Sequence, residues 1–340
     1  ATGDAGFSDL TAQAGTIAVT AGGSINGGNL TAANNISLDA GNIAIGDASG
    51  AAIAMTSGSD ILFDSLTSTG STTLTATSGT IGANAGAGDI TASGVGQSIN
   101  LFANNVAVGA LATNDGDILV SAAQDIALGS AATSAGTPTA GSIGLLAGNN
   151  IASTGSLDAG EDVAIRALGD VALTTASAGD DMSVDADGAI SLTSATTSGT
   201  GIDLFALAFN TANAGQAGSI AFAAETLTGS NIQLDSGSDV TATGTLNAID
   251  NISITATGAA AATNAISGSN TDITGASVTL DNGNIAGNLT LNALAGNIDS
   301  NGTVVVGNAI DLDATGDAGF SDLTAQAGTI AITAGASING

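Results

Sequence analysis

GTIAVTAGGSINGGNLTAANNISLDAGNI, Gly15 to Ile43, carries one short pattern twice. Ile17 and Val19 flank a small residue, and Ile36 and Leu38 do the same 19 residues later. An alternation of period two puts both aliphatics of a pair on one face of a strand. Gly, Asn and Ser fill the space between pairs and turn the chain. A strand this short cannot bury its apolar face alone. A chain that coils so that each turn stacks on the last solves the problem.

The pattern extends outward from this stretch. Ile99/Leu101 and Ile118/Val120 are 19 residues apart, and Val106/Val108 and Ile126/Leu128 are 20 apart. Val163 to Met182 is 19, Met182 to Ile202 is 20, Val171 to Ile190 is 19, and Ile232 to Ile252 is 20. Two interleaved series therefore share one period, and lone apolar residues such as Ile25 are expected to mark a third short side. The predicted fold is all-β: a parallel β-solenoid, or β-helix, of about 19–20 residues per coil and about 16–17 coils. The usual hand of parallel crossovers makes it right-handed. Coils should be spaced by about 4.8 Å.

Asn or Asp repeatedly stands just before the first aliphatic of a strand, as at Asn35, Asp60, Asn105, Asp125, Asn150, Asp239 and Asn297. Such residues accept left-handed backbone and bond to nearby main chain, so they are read as corners that stack into ladders. Two stretches break the pattern: Ser130 to Gly141, with the sole proline Pro138, and Gly258 to Asp272. Both are read as loops bulging from the solenoid.

Composition removes most function classes. The 340 residues include 50 Gly but no Cys, His or Trp, and the net charge is −29. Arg166 is the one basic side chain against 30 acidic ones. Nothing could neutralise phosphates, so nucleic acid is not an expected partner. No apolar run approaches the length of a membrane span. Catalytic dyads and triads that use His or Cys are excluded, as are His/Cys metal sites. Carboxylate chemistry remains, so a polysaccharide-acting β-helix enzyme is the rival of a different class, and a binding module with ligand contacts on the irregular loops is the rival among non-enzymes. The expectation is no enzyme and no organic cofactor.

ATGDAGFSDLTAQAGTIAVTAGGSING, Ala1 to Gly27, returns as ATGDAGFSDLTAQAGTIAITAGASING, Ala314 to Gly340. Only two positions differ, Val19 against Ile332 and Gly23 against Ala336. The offset of 313 residues is about 16 coils. Residues 1–340 are thus read as one continuous solenoid, with 1–313 one large tandem unit and 314–340 the start of the next. Each further unit would add about 77 Å of shaft.

The period also predicts which side chains become neighbours. Placing Val163 over Met182 sets Glu161 beside Asp180 and Asp162 beside Asp181 at one corner. Two unit charges 4.8 Å apart repel by about 0.9 kcal/mol even at the dielectric of water. Calcium, which takes several carboxylate oxygens, would relieve this, and a solvated corner is the competing reading. The same alignment sets Arg166 over Asp185 as an outward ion pair. Threonines in LTAT, VTATGT and ITATG hold no common phase over many turns, which disfavours an ice-binding array. Phe63 and Phe222 occupy inward positions, whereas Phe205 and Phe209, in LFALAF, admit an outward ring.

Gly15 to Ile43 resembles the 19-residue repeats of filamentous haemagglutinin-type adhesins, in which G-x-I-x-V-x-A and N-x-I-x-L-x-A segments alternate. The resemblance extends over nearly the whole chain. It implies a right-handed β-helical shaft displayed on a bacterial cell surface, with roles in adhesion, aggregation or biofilm matrix. The partners it suggests are further copies of the shaft and cell-surface or matrix polysaccharide. The family's amino-terminal secretion domain is not recognisable here. Its usual sprinkling of Lys and Arg is also missing.

Overall fold

The computed structural model describes residues 2–133, 140–197, 204–208, 220–222 and 226–340; for residues 204–208, 222, 226 and 227 it describes backbone only. All regular structure there is β-strand, stacked in parallel as a β-solenoid of about 15 turns. The chain divides into two compact units, Ala1–Leu168 and Gly169–Gly340.

In the first unit the series found from Gly15 to Ile43 forms one sheet of short strands. Ile17–Thr20 pairs with Ile36–Ala40, which pairs with Ile53–Ser57 and then Thr72–Ala76. Ile99–Ala103, Ile118–Ala122, Ile143–Ala147 and Val163–Ala167 continue it. Residues one, three and five of Ile36–Ala40 are buried and the two between are exposed. That is the burial expected when a period-two strand lays one face on a core.

The rest of each coil pairs in a second sheet with two inward-facing sides. Ile25, Ile43, Ile61, Ile81, Val106, Ile126 and Ile151 stack in register in the first of them. Ile25 therefore belongs to the second series, not to a third side. The third column is Leu10, Leu30, Ala48, Leu66, Ile90, Leu111, Ala131 and Leu157. The inward residue two positions further on is small, as at Ala32, Ser68, Ala92 and Thr113, so this side carries no aliphatic-x-aliphatic signature. Phe63 is fully buried, as expected from its position.

In the second unit Ile232–Ser236, Ile252–Ala256, Thr271–Gly275, Leu289–Ala293, Ile310–Ala314 and Ile330–Ala334 make the short-strand sheet. Nine-residue strands make the other: Val240–Ala248, Ala259–Ser267, Ser277–Ile285 and Ile298–Val306. Gly258 to Asp272 is consequently not a loop. Ala259–Ser267 pairs on both sides, and Ala260, Ala262 and Ala265 face the core in place of larger aliphatics. Alanine-for-isoleucine at inward positions hid the strand.

Two other expectations change. Met182 pairs with Leu204, 22 residues on, instead of Ile202, which lies outside the described residues. The turns also number fewer than expected because some coils run long: Thr72 pairs with Ile99, 27 residues away, and Ile118 with Ile143, 25 away. The second excess falls in Ser130 to Gly141. Its core, 134–139 with Pro138, lies outside the described residues. The base of that insertion is pinned: Thr133 Oγ1 donates to Gly141 O at 2.7 Å and accepts from Gly160 N at 2.9 Å.

Buried hydroxyls are a feature the aliphatic pattern did not reveal. Ser68 Oγ and Thr72 Oγ1 are 3.0 Å apart, and Ser267 Oγ and Thr271 Oγ1 are 2.8 Å apart. In each unit a buried Ser at the end of one strand meets a buried Thr at the start of the next. A buried hydroxyl is costly without such a partner.

Candidate functional surfaces

The Asn and Asp corners form ladders, but their bonds run between coils. Thr80 N donates to Asp60 Oδ1 at 2.8 Å, Ala189 N to Asp170 Oδ1 at 2.8 Å, and Ala259 N to Asp239 Oδ1 at 2.7 Å. In the second unit Asn231, Asn251, Asn270 and Asn288 link successively, each side-chain oxygen accepting the next main-chain N–H at 3.0–3.3 Å. The expected local bond is replaced because a corner N–H has no strand partner of its own, and the side chain one coil away reaches it. Left-handed backbone is not needed: the one described non-glycine residue with positive φ is Asp115, at 59°.

The four acidic residues singled out at a corner fall into the two compact units. Glu161 and Asp162 precede Val163–Ala167 in the first, and Asp180 and Asp181 precede Met182–Ala186 in the second. All four are exposed. Within the first unit the corner below Asp162 alternates: Asp162 N is 3.4 Å from Ser142 Oγ, and Ser142 N donates to Asp117 Oδ1 at 2.9 Å. A serine thus separates Asp117 from Asp162 by two coil steps, about 9.6 Å. At that distance the repulsion in water falls to about 0.4 kcal/mol. Among the described residues no group of three or more His, Cys, Asp or Glu is placed to hold a metal ion. Arg166 and Asp185 likewise belong to different units, each half-buried on an outward strand position.

A different surface lies on the short-strand sheet of the first unit. Register stacks Thr75, Phe102, Ser121, Leu146 and Arg166 in one outward column, one residue per coil. A groove of about 580 Å³ runs along it, walled by Phe102, Leu146, Arg166 and Leu168 and floored by alanines and Gly148. Phe102 is 38% exposed, Leu146 50% and Leu168 55%. The sequence did not single out this face, because the residues that line it are 19 to 27 positions apart and meet only through the register. The same column answers the threonine question: it reads Thr20, Asp39, Thr56, Thr75, Phe102, with no unbroken threonine array. The side chains of Phe205, Phe209 and Phe222 lie outside the described residues.

Thr2–Gly27 and Thr315–Gly340 share several local features, although Ala5–Phe7 and Leu10–Ala12 are separate strands where Ala318–Ala325 is one. Ile17–Thr20 corresponds to Ile330–Ala334. Ser24 N donates to Asp4 Oδ1 at 2.7 Å, and Ser337 N to Asp317 Oδ1 at 2.9 Å. A Cβ at Gly27 would fall into the Phe7 ring, and one at Gly340 into the Phe320 ring.

Among the described residues no helix is long and apolar enough to cross a membrane. Compared with protein-family models, with curated proteins and with solved structures, the chain matches none.

Proposed function

We propose that this protein is a structural segment of an extracellular filament on a bacterial surface. It is built like the shaft of filamentous haemagglutinin-type adhesins and serves adhesion, cell aggregation or a biofilm matrix. The observation that carries the reading is the repeated coil interface: each coil offers the next an in-register strand, and many corners also offer an Asx acceptor. Ala1–Gly27 and Ala314–Gly340 reproduce that interface 313 residues apart. A fold in which every turn bonds mainly to its neighbours can be lengthened by copying without a redesigned core. On this reading the partners are further copies of the shaft and cell-surface or matrix polysaccharide, and no chemistry is performed.

Electron microscopy of the native assembly tests the proposal. Long unbranched fibres a few nanometres wide are expected, and compact particles would overturn it. A second measurement addresses the enzymatic rival. Incubation with acidic polysaccharides should release neither reducing ends nor unsaturated products, and robust turnover would replace the structural reading with a catalytic one.

A further inference from the structure

The repeated sequence carries a repeated docking face. In the first unit Leu10, Ile17 and Ile25 lie in register with Leu30, Ile36 and Ile43 of the next coil. Main-chain bonds hold that coil in place. Leu10 N donates to Asn29 O at 2.9 Å, Ile17 N to Asn35 O at 3.0 Å and Ala21 N to Asp39 O at 2.9 Å. Asp9 Oδ1 accepts Asn29 N at 2.7 Å. In the second unit Asp322, Leu323, Ile330, Ala334 and Ile338 occupy the equivalent positions of the repeat, 313 residues on. There Ile330–Ala334 pairs with Ile310–Ala314 and has no strand on its other side among the described residues. Ile330 is 44% exposed and Ile338 54%, against 7% for Ile17 and 0% for Ile25. The two differing positions keep the face intact. Ile332 is aliphatic like Val19, and Ala336 has the same main-chain oxygen as Gly23, to which Gly41 N donates at 2.7 Å.

We propose that the face bearing Leu323, Ile330 and Ile338 is a docking surface for a second copy of this chain, which enters with its residues 30–44. Those residues take the register that Leu30, Ile36 and Ile43 already hold over Leu10, Ile17 and Ile25. The unpaired strand edge supplies main-chain pairing and the exposed isoleucines supply the apolar contact, as when a strand is added to an open sheet. The contact is head-to-tail, so it propagates from copy to copy. The incoming copy must release residues 2–27, because residues 30–44 cannot pair with both coils at once. One coil interface forms for one given up, so the parent chain should associate weakly. The coil of residues 2–20 is nonetheless among the readiest to open, since it pairs with one neighbour only. Naming this partner deepens the filament reading and rests on it.

Sedimentation velocity of the 340-residue chain and three variants tests the site, in about 0.5 M sodium chloride to screen the acidic copies from one another. Ile17→Asp loosens the first coil and bares residues 30–44. Ile330→Asp spoils the seat at the equivalent position, where the side chain is already exposed. The Ile17→Asp chain should show a weight-average mass severalfold above the parent. The Ile17→Asp/Ile330→Asp chain should return to the monomer mass, and Ile330→Asp alone should stay there. Non-specific aggregation of a damaged first coil would not be cured by a second charge 313 residues away. If circular dichroism shows that Ile17→Asp unfolds more than one coil, a labelled peptide of residues 28–57 decides the matter. It should bind the parent, and bind Ile330→Asp about tenfold or more weakly, since a charge replaces the apolar contact. Association that survives Ile330→Asp, a folded Ile17→Asp chain that stays monomeric, or equal peptide affinity for the parent and Ile330→Asp would each overturn the proposal. Native fibres without this association would sink the docking alone, whereas compact native particles would sink the filament reading whatever the variants do.

Discussion

Asp125 Oδ1 accepts the main-chain N–H of Asn150, 25 residues later, at 3.0 Å. The side-chain amides of Asn149 and Asn150 donate to the same oxygen at 2.8 and 3.1 Å. One carboxylate oxygen thus ties the corner of its own coil to the corner of the next. Asp125→Ala is expected to destabilise by about 1–3 kcal/mol, because it strands donors at a corner. Asp125→Asn keeps an acceptor and should recover most of the loss. Hydrogen exchange at the Asn150 amide reads the effect locally, and equal protection in the parent and the alanine variant would show that the bond contributes nothing.

The third column should matter as much as the two that the sequence displays. Leu111 is 1% exposed between Ile90 and Ala131, whereas Leu294 in the other unit is 58% exposed. Leu111→Ala should cost about 2–5 kcal/mol. Leu294→Ala should stay within about 0.5 kcal/mol. Chemical denaturation of the two variants beside the parent measures the contrast.

The buried hydroxyl pair predicts non-additivity. Thr72→Val leaves Ser68 Oγ without its 3.0 Å neighbour, although Gly70 O remains within reach at 2.5 Å. Ser68→Ala leaves the Thr72 hydroxyl as the stranded partner. The double variant removes both polar groups and should be less destabilised than the sum of the singles, by about 0.5–3 kcal/mol. Strict additivity in a double-mutant cycle would mean that the two hydroxyls do not depend on each other.

Ionic conditions should act strongly on a chain of net charge −29. Sodium chloride between about 0.05 and 0.5 M is expected to raise the Tm, because it screens repulsion between exposed carboxylates. Calcium at matched ionic strength discriminates between a solvated corner and a bound ion. If the exposed acids Glu161, Asp162, Asp180 and Asp181 take up calcium, the melting temperature in millimolar calcium should exceed that in matched sodium, and coincident curves would reject the site. That calcium increment should disappear when Glu161, Asp162, Asp180 and Asp181 are changed to alanine.

The fold was legible because its main signal repeats. Ile17 over Ile36, Ile99 over Ile118 and Val106 over Ile126 were readable from spacing alone, and the registers agree. Strands whose inward positions hold small residues were not readable that way. The strands of the Ala48, Leu66, Ile90 column alternate too, but their second inward residue is Gly50, Ser68 or Ala92, and Ala259–Ser267 replaces the usual aliphatics with alanine. Asn251 could be placed at a corner from its position, but not its bond to Asn231 and Asn270, which needs the three-dimensional step between coils. The groove was illegible for the same reason. Phe102, Leu146 and Arg166 are unremarkable until the register stacks them.

Arg166 has one more consequence. It is the only residue in the chain after which a trypsin-like protease can cut, since there is no lysine. It lies fourth in the five-residue strand Val163–Ala167, half-buried and in register with Leu146 of Ile143–Ala147. Cleavage needs an extended segment free of its sheet, so the folded chain should survive prolonged digestion. A chain opened at that coil should fall into two fragments, residues 1–166 and 167–340. A material exposed to trypsin-like proteases would gain durability from this arrangement, and the same bond gives the experimenter a gauge of whether that single turn has come apart.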